Sequence, residues 1–444
     1  MNPIFRNIIV SILILTIFEC KQLGLEKEKT DNAPLLAGLA ILNSQRRGTT
    51  VSQAEIVNRY ADLAFASYSD SVTAATSLKT AIDSFVGSST AADVSTPTQA
   101  NFEAARKAWL DARPWYLQTE TFRFSNGPIN EKLETRLPDA EIETLINSWP
   151  MEETYIDCVI TNTTTTAGLD EARLLNVSTL TTVPGCTASP FTDSAKNISL
   201  GWHAIEYLLW GVDTAGNTTS GNRVVTDYQG ATANSVQQKR RQYLRVVTKL
   251  LVDHLTLVRD RWDSTKSNNY ISGFKSNTTK SISDIFTGLS RFAKSEWGGE
   301  RLKMVTSNDQ EDEHSCFSDN TKADFYWDAQ GVTNFFSGTY KNLAGNTTTG
   351  VGLKDIAGSL QSRLETNFRE SRDAFCLNVS GLNMTLDSTT CPTATNSITT
   401  KYDTMSAGDK TKLSALQLLI GVTIANDIQS VGRNNGISFT PPPQ

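Results

Sequence analysis

Gly201-Trp202-His203-Ala204-Ile205-Glu206-Tyr207-Leu208-Leu209-Trp210-Gly211 is an apolar stretch with one histidine and one carboxylate set three residues apart. On a helix that spacing stacks both side chains on one face, close enough to share a metal ion or a proton. Polar groups on so hydrophobic a segment cost free energy unless they find partners. Trp202, Ile205 and Leu209 cover one apolar face, while His203, Glu206 and Trp210 follow a neighbouring stripe. The helix is expected to run from about Asp193 to Trp210 and to stop at Gly211.

Helical periodicity extends nearly throughout the chain. From Val51 to Val86, residues such as Val57, Tyr60, Ala64, Tyr68, Leu78 and Ile82 recur at spacings of mostly three and four. Thr96-Pro97-Thr98-Gln99 reads as a helix start, and Pro114 is expected to kink or end the helix that follows. Ser235 to Trp262 is the clearest helix, with Tyr243, Val247, Leu250 and Leu257 on an apolar stripe and basic residues on the other face. Further helices are predicted over 278–297, 322–336, 353–375 and 410–431. No segment shows sustained alternation, so the fold class is all-α. Long helices joined by Thr/Asn/Gly-rich loops suggest antiparallel bundles. The composition change near Asp263–Asn277 divides them into 51–265 and 266–436, with residues 437–444 as a tail.

The N-terminus reads as a targeting segment. Arg6 precedes an apolar run from Ile8 to Phe18, whose length suits a signal peptide better than a membrane span. Ile17-Phe18-Glu19-Cys20 is similar to a bacterial lipobox, with Glu19 in place of the usual small residue. Residues 1–19 are therefore expected to be a lipoprotein signal peptide, Cys20 the lipidated residue, and 20–50 a tether. That places the chain in the bacterial envelope as an outer-membrane lipoprotein, facing either the periplasm or the surface, with the membrane as a partner through its lipid. Beyond Cys20 five cysteines remain, an odd number. Cys158 with Cys186, and Cys376 with Cys391, are the economical pairs, which leaves Cys316 over; pairing is not deducible from sequence. A net charge of −6 argues against a nucleic-acid-binding face.

Only three histidines occur, His203, His254 and His314, which excludes a histidine-rich metal cage. His254 follows the apolar stripe of its helix and reads as a core histidine. His203 and Glu206 need further ligands to hold a metal. The acidic run Asp309-Gln310-Glu311-Asp312-Glu313-His314 supplies Glu311 and His314, a Glu-x-x-His pair mirroring His203-x-x-Glu206. Helix bundles that hold iron or manganese combine such pairs with extra carboxylates. Glu120 is a third source, and Arg123, three residues on, could bind an anion. The candidate metal set is thus His203, Glu206, Glu120, Glu311 and His314. Arg123, Trp202, Trp210, Glu313 and Asp319 are assigned to ligand contact. The bland reading of each pair is a satisfied buried cluster or an acidic helix start. There is no His-Glu-x-x-His, Gly-x-Ser-x-Gly, phosphate loop or Cys-x-x-Cys.

Gly201–Gly211, the acidic run with His314-Ser315-Cys316-Phe317-Ser318-Asp319-Asn320-Thr321, Ala112–Phe124, Trp149–Asp157, Gly221-Asn222-Arg223 and Gly299-Glu300-Arg301 spread over most of residues 55–430. Together they resemble the imelysin-like family of bacterial envelope proteins, whose hallmark is a Gly-x-His-x-x-Glu helix. The resemblance implies two four-helix bundles related by duplication and an association with iron-regulated uptake. The expected function is non-catalytic binding of iron, or of an iron-bearing ligand such as haem, in company with an uptake-system protein. Iron is the expected metal and zinc the alternative. A metallopeptidase is the competing function, because the family was named for an insulin-cleaving activity; a structural or adhesive surface lipoprotein is the third.

Overall fold

The computed structural model describes residues 51–87, 97–177, 185–186, 190–191, 193, 195–213, 220–230, 232–302, 313–375 and 407–442. The expected signal peptide, tether and Cys20 lie outside these residues, as do Glu311, Cys376 and Cys391.

The chain is helical, and strands among the described residues are confined to one antiparallel hairpin, β1 (Thr339–Lys341) with β2 (Thr347–Thr349). In order, the principal helices are α1 (Gln53–Val86), α2 (Gln99–Leu117), α3 (Ile142–Ile146), α4 (Glu153–Asn162), α5 (Glu171–Val177), α6 (Gly201–Trp210) and α7 (Val236–Arg261). After them come α8 (Ile271–Ser276), α9 (Thr278–Arg291), α10 (Thr321–Ser337), α11 (Gln361–Asp373), α12 (Ala407–Leu418) and α13 (Ala425–Asn434). A π-helical segment, Phe292–Trp297, continues α9, and a second, Leu419–Ile424, joins α12 to α13. No helix of the described residues is long and apolar enough to cross a membrane.

α1 is the spine, with 34 residues spanning about 51 Å. It begins at a capping box: Ser52 Oγ accepts from the Glu55 backbone N–H, and Glu55 accepts from the Ser52 N–H at 2.8 Å. Its apolar face packs on α2 and α7 and also on α8, α9 and α10. Tyr60 shows how this works: its ring meets Phe122 at 4.9 Å, Phe274 at 5.8 Å and Phe335 at 5.0 Å, while its hydroxyl donates to Ser125. The halves expected on either side of residue 265 thus meet in one continuous core, and Val51–Gln444 forms one compact unit.

Several boundaries differ from the sequence reading for local reasons. α2 runs through Pro114 and ends one turn later, at Leu117. The predicted helix over 353–375 is broken into short 3-10 turns before α11. On α7, Lys239, Arg240 and Arg241 are buried rather than solvated; Lys239 donates to the Thr163 carbonyl at 2.9 Å and Arg240 to that of Asp227 at 2.8 Å. Leu257, expected on the stripe, is instead exposed. Cys158 and Cys186 form a disulfide, and Cys316 is a buried free thiol.

α6 begins at Gly201 rather than near Asp193. Gly201 has φ of +85°, and a Cβ there would stand 2.3 Å from the Ile146 carbonyl oxygen at the end of α3. Glycine is needed on both counts. Gly201→Ala is therefore expected to cost well over 1 kcal/mol, on the order of a strained turn substitution. Urea unfolding checks this, and an unchanged midpoint would refute the tight α3–α6 junction.

Candidate functional site

Every residue of α6 is buried, so its two polar side chains must be satisfied inside the protein. His203 Nδ1 lies 2.9 Å from Glu206 Oε2. The other carboxyl oxygen, Glu206 Oε1, accepts from the Ser318 backbone N–H at 2.9 Å and from Ser318 Oγ at 2.6 Å. Burial pushes the Glu206 carboxyl up to about 8, against the opposing pull of the Ser318 hydrogen bonds. Burial, followed by the neighbouring Arg113 and His314, drives His203 well below the ordinary histidine range.

The second histidine is arranged in the same way. His314 Nδ1 lies 2.6 Å from Asp324 Oδ2 on α10, and that carboxylate also accepts from Ser315 Oγ at 2.7 Å and, through Oδ1, from Asn320 at 2.8 Å. The imidazoles of His203 and His314 stand 4.9 Å apart, nearly perpendicular. The fold therefore brings together the two histidines that the sequence places more than a hundred residues apart. Among the described residues the carboxylate that holds His314 is Asp324, Glu311 lying outside them.

Two arginines complete the cluster. Arg113, fully buried on α2, donates to Asn147 Oδ1 at 2.6 Å and to Asp324 Oδ2 at 3.1 Å, and its Nη2 lies 3.3 Å from His203 Nε2. Arg301 contacts His314 Nε2, donates to Glu120 Oε2 at 2.7 Å and pairs with Asp328 at 3.4 Å. A guanidinium only donates, so each Nε2 must accept and each Nδ1 must carry the proton given to its carboxylate. Both lone pairs that a metal would use face a cation.

Around Arg301 the charges are tightly grouped. Burial alone would raise Glu120, but Arg301 and Arg123 outweigh it and hold its carboxyl below the usual range. Arg123 also pairs with Glu143 at 2.9 Å and Glu296 at 2.8 Å. Glu143 is raised by burial, and Asp328, whose oxygens make no hydrogen bond, is raised well above the carboxylate range for the same reason.

A cavity of about 230 Å³ opens onto this network. The buried His314, Arg301, Asn147 and Glu143 line it, together with the less buried Arg123, Glu296, Glu300 and Trp149. Trp149 tilts over His203 at 4.7 Å. The His203–Glu206 pair lies behind Trp149 and Arg113 and does not line the cavity.

The remaining sequence candidates fall in different places. Trp202 packs on Trp109, whose indole donates to the Trp202 carbonyl at 3.1 Å, and sits under Arg113. Trp210 is at the far end of α6, against Trp109 and Arg106. Glu313 accepts from Thr321 at 2.7 Å, and Asp319 occupies a left-handed turn at φ 59°. His254 is buried against Glu134 at 3.2 Å, as a core histidine would be. Arg113, Asn147, Ser318, Asp324 and Asp328 were not singled out by the sequence. Asp324 and Asp328 had a readable signal, two carboxylates four apart on a helix otherwise facing the core with Phe325, Ala329 and Val332. Asn147 and Ser318 had none.

The donor set does not fit a preformed metal centre. Among the described residues no group of three or more His, Cys, Asp or Glu side chains could hold a metal ion. The physical reason is on hand: Arg113 and Arg301 stand where a cation would bind the imidazoles.

A carboxyl raised on folding binds its proton more tightly in the folded state, so its stabilising effect is lost as pH rises toward about 8. The lowered histidines act oppositely, costing stability as pH falls below the ordinary histidine value of 6.5. Between about pH 6.5 and about pH 8 the histidine effect is spent, and Glu206 should contribute a loss of about 2 kcal/mol to the wild-type slope, with the raised Asp328 acting in the same direction. Glu206→Gln should flatten the slope by a similar amount in denaturant unfolding; an equal slope would refute the raised carboxyl.

The imelysin peptidase-family model matches residues 64–403 of this chain. A solved structure described as an iron-regulated protein A precursor from Parabacteroides distasonis ATCC 8503 aligns with a TM-score of 0.57 at 14% identity, over 87% of this chain and 97% of that one. An imelysin-like protein from Psychrobacter arcticum 273-4 aligns with a TM-score of 0.52 at 12% identity, over 86% and 95%. No curated protein matches. The two likenesses carry the helical fold, and the span of the family match carries the family: this chain belongs to the imelysin family.

Proposed function

We propose that this chain is a non-catalytic binding protein of the bacterial envelope that handles iron in a bound, ligand-bearing form. The observation that carries the reading is the pairing of two neutral, buried imidazoles with two guanidiniums beside a cavity of about 230 Å³. Such a network is pre-organised for recognition, and neither carboxylate that holds an imidazole is poised as a base: Glu206 has both oxygens engaged, and Asp324 is held by five donors. The Parabacteroides neighbour is described as iron-regulated, which supports an iron-related role. The cavity falls below the roughly 300–1,000 Å³ of drug-sized sites, which favours a small iron ligand over haem. Lipidation at Cys20 would hold the chain on the outer membrane beside an uptake-system protein, and the Cys158–Cys186 bridge suits an oxidising compartment.

Loading the purified protein with Fe(II), Fe(III) and Zn(II), each bare and as a citrate complex, and assaying the metal retained tests the reading. About one iron per chain is expected, reduced at least tenfold in affinity by His203→Ala/Glu206→Ala. Retention of no iron in any form would sink the proposal. Peptide cleavage that disappears in Glu206→Gln would overturn its non-catalytic part and restore the peptidase reading.

A further inference from the structure

The cavity presents different chemistry at its inner wall and at its rim. On the inner wall Asn147 is 4% exposed. Its amide orientation is fixed, because Arg113 Nη1 can only donate and lies 2.6 Å from Oδ1. The amide nitrogen Nδ2 is left buried without a hydrogen-bond partner. A buried donor in that state costs free energy that an incoming acceptor would recover. Arg301, also 4% exposed, and Arg123 bring guanidiniums to the same lining, where Arg123 pairs with the buried Glu143 at 2.9 Å.

The rim is acidic. Glu296 is partly buried and Glu300 exposed, and both line the cavity, while Trp149 and Pro150 give one flank an apolar, planar surface. A bare cation entering this space would meet an unpartnered amide donor and two guanidiniums that already engage the carboxylates of Glu143 and Glu296. A bare anion would have to pass two carboxylates. A ligand with oxygen acceptors at one end and a cation at the other satisfies both walls at once.

We propose that the cavity takes a small carboxylate chelate of ferric iron, with a ligand carboxylate accepting from Asn147 Nδ2 and the metal-bearing end toward Glu296 and Glu300. This rests on the iron-handling reading above and names the form in which the iron arrives. Binding is recognition through the chelator, so the imidazoles keep their arginine partners and His203 and Glu206 hold the inner wall in place.

Asn147→Asp separates the alternatives, because it keeps an oxygen for Arg113 while exchanging the donor for a negative charge. Affinities for ferric citrate, iron-free citrate and Fe(II) alone are measured by calorimetry on full-length wild type and variant, with unfolding midpoints recorded in parallel. Asn147→Asp should weaken ferric citrate and iron-free citrate by at least about tenfold and leave Fe(II) no weaker. Glu300→Gln, at the exposed rim, should weaken ferric citrate more than iron-free citrate. Unchanged ferric citrate affinity in Asn147→Asp overturns the proposal, as does wild type that prefers bare Fe(II) with Asn147→Asp tightening it. In that second case the iron-handling reading survives. Equal effects of Glu300→Gln on both citrates would overturn the placement of the metal-bearing end. Wild type that binds no form of iron removes both readings together.

Discussion

A fully buried guanidinium is the constraint on which the centre of this molecule depends. Removing a cation from water costs several kcal/mol unless charge and hydrogen bonds replace the solvent. Arg113 finds that replacement in Asn147, Asp324, His203 and His314. Those partners come from the turn after α3, from α10, from α6 and from the segment before α10. One side chain therefore fixes the mutual position of elements between α2 and α10. The same charge decides the tautomer of His203 and thereby the direction in which Glu206 is used. Arg301 repeats the arrangement one layer nearer the cavity, with Glu120, Asp328 and His314 around it.

The helical class was legible because burial of one face of a helix leaves a period in the sequence, and α1 and α7 carry it over many turns. The helix start read over Thr96–Gln99 was an equally local fact, and Thr98 caps α2 there by accepting from the Asn101 N–H. The histidine–carboxylate pair on α6 was legible for the same reason, since a three-residue spacing becomes a contact without any tertiary information. The partners of that pair were not. Ser318 is one serine among many, and only the fold brings its N–H and hydroxyl to Glu206.

The sequence also suggested a ligand set that the fold distributes otherwise. Glu120 was read as a metal carboxylate, yet its nearest cations are Arg301 and Arg123. Trp210 shares a stripe with His203 and Glu206, but seven residues of helix carry it about 10 Å along the axis. Arginine is the residue type that sequence reasoning weighted least. Its identity as a buried partner depends on which acceptors surround it, and that is a property of packing.

The π-helical segment over Phe292–Trp297 has a consequence for the length of this chain. An α-helix turns by about 100° per residue, so the extra residue accommodated in a π turn re-aims everything after it. α9 uses its first register to bury Ile282, Ile285 and Leu289, and the widened turn then brings Glu296 to Arg123 and the cavity rim. Gly298 closes the segment against Gly421 of the other π helix, where an added Cβ would stand 2.5 Å from backbone nitrogen. A substitution at an exposed position such as Ser295 leaves this register intact, whereas deleting a single residue would swing Glu296 away from Arg123 and the cavity. Over evolutionary time, this part of the protein should vary in composition far more freely than in residue count.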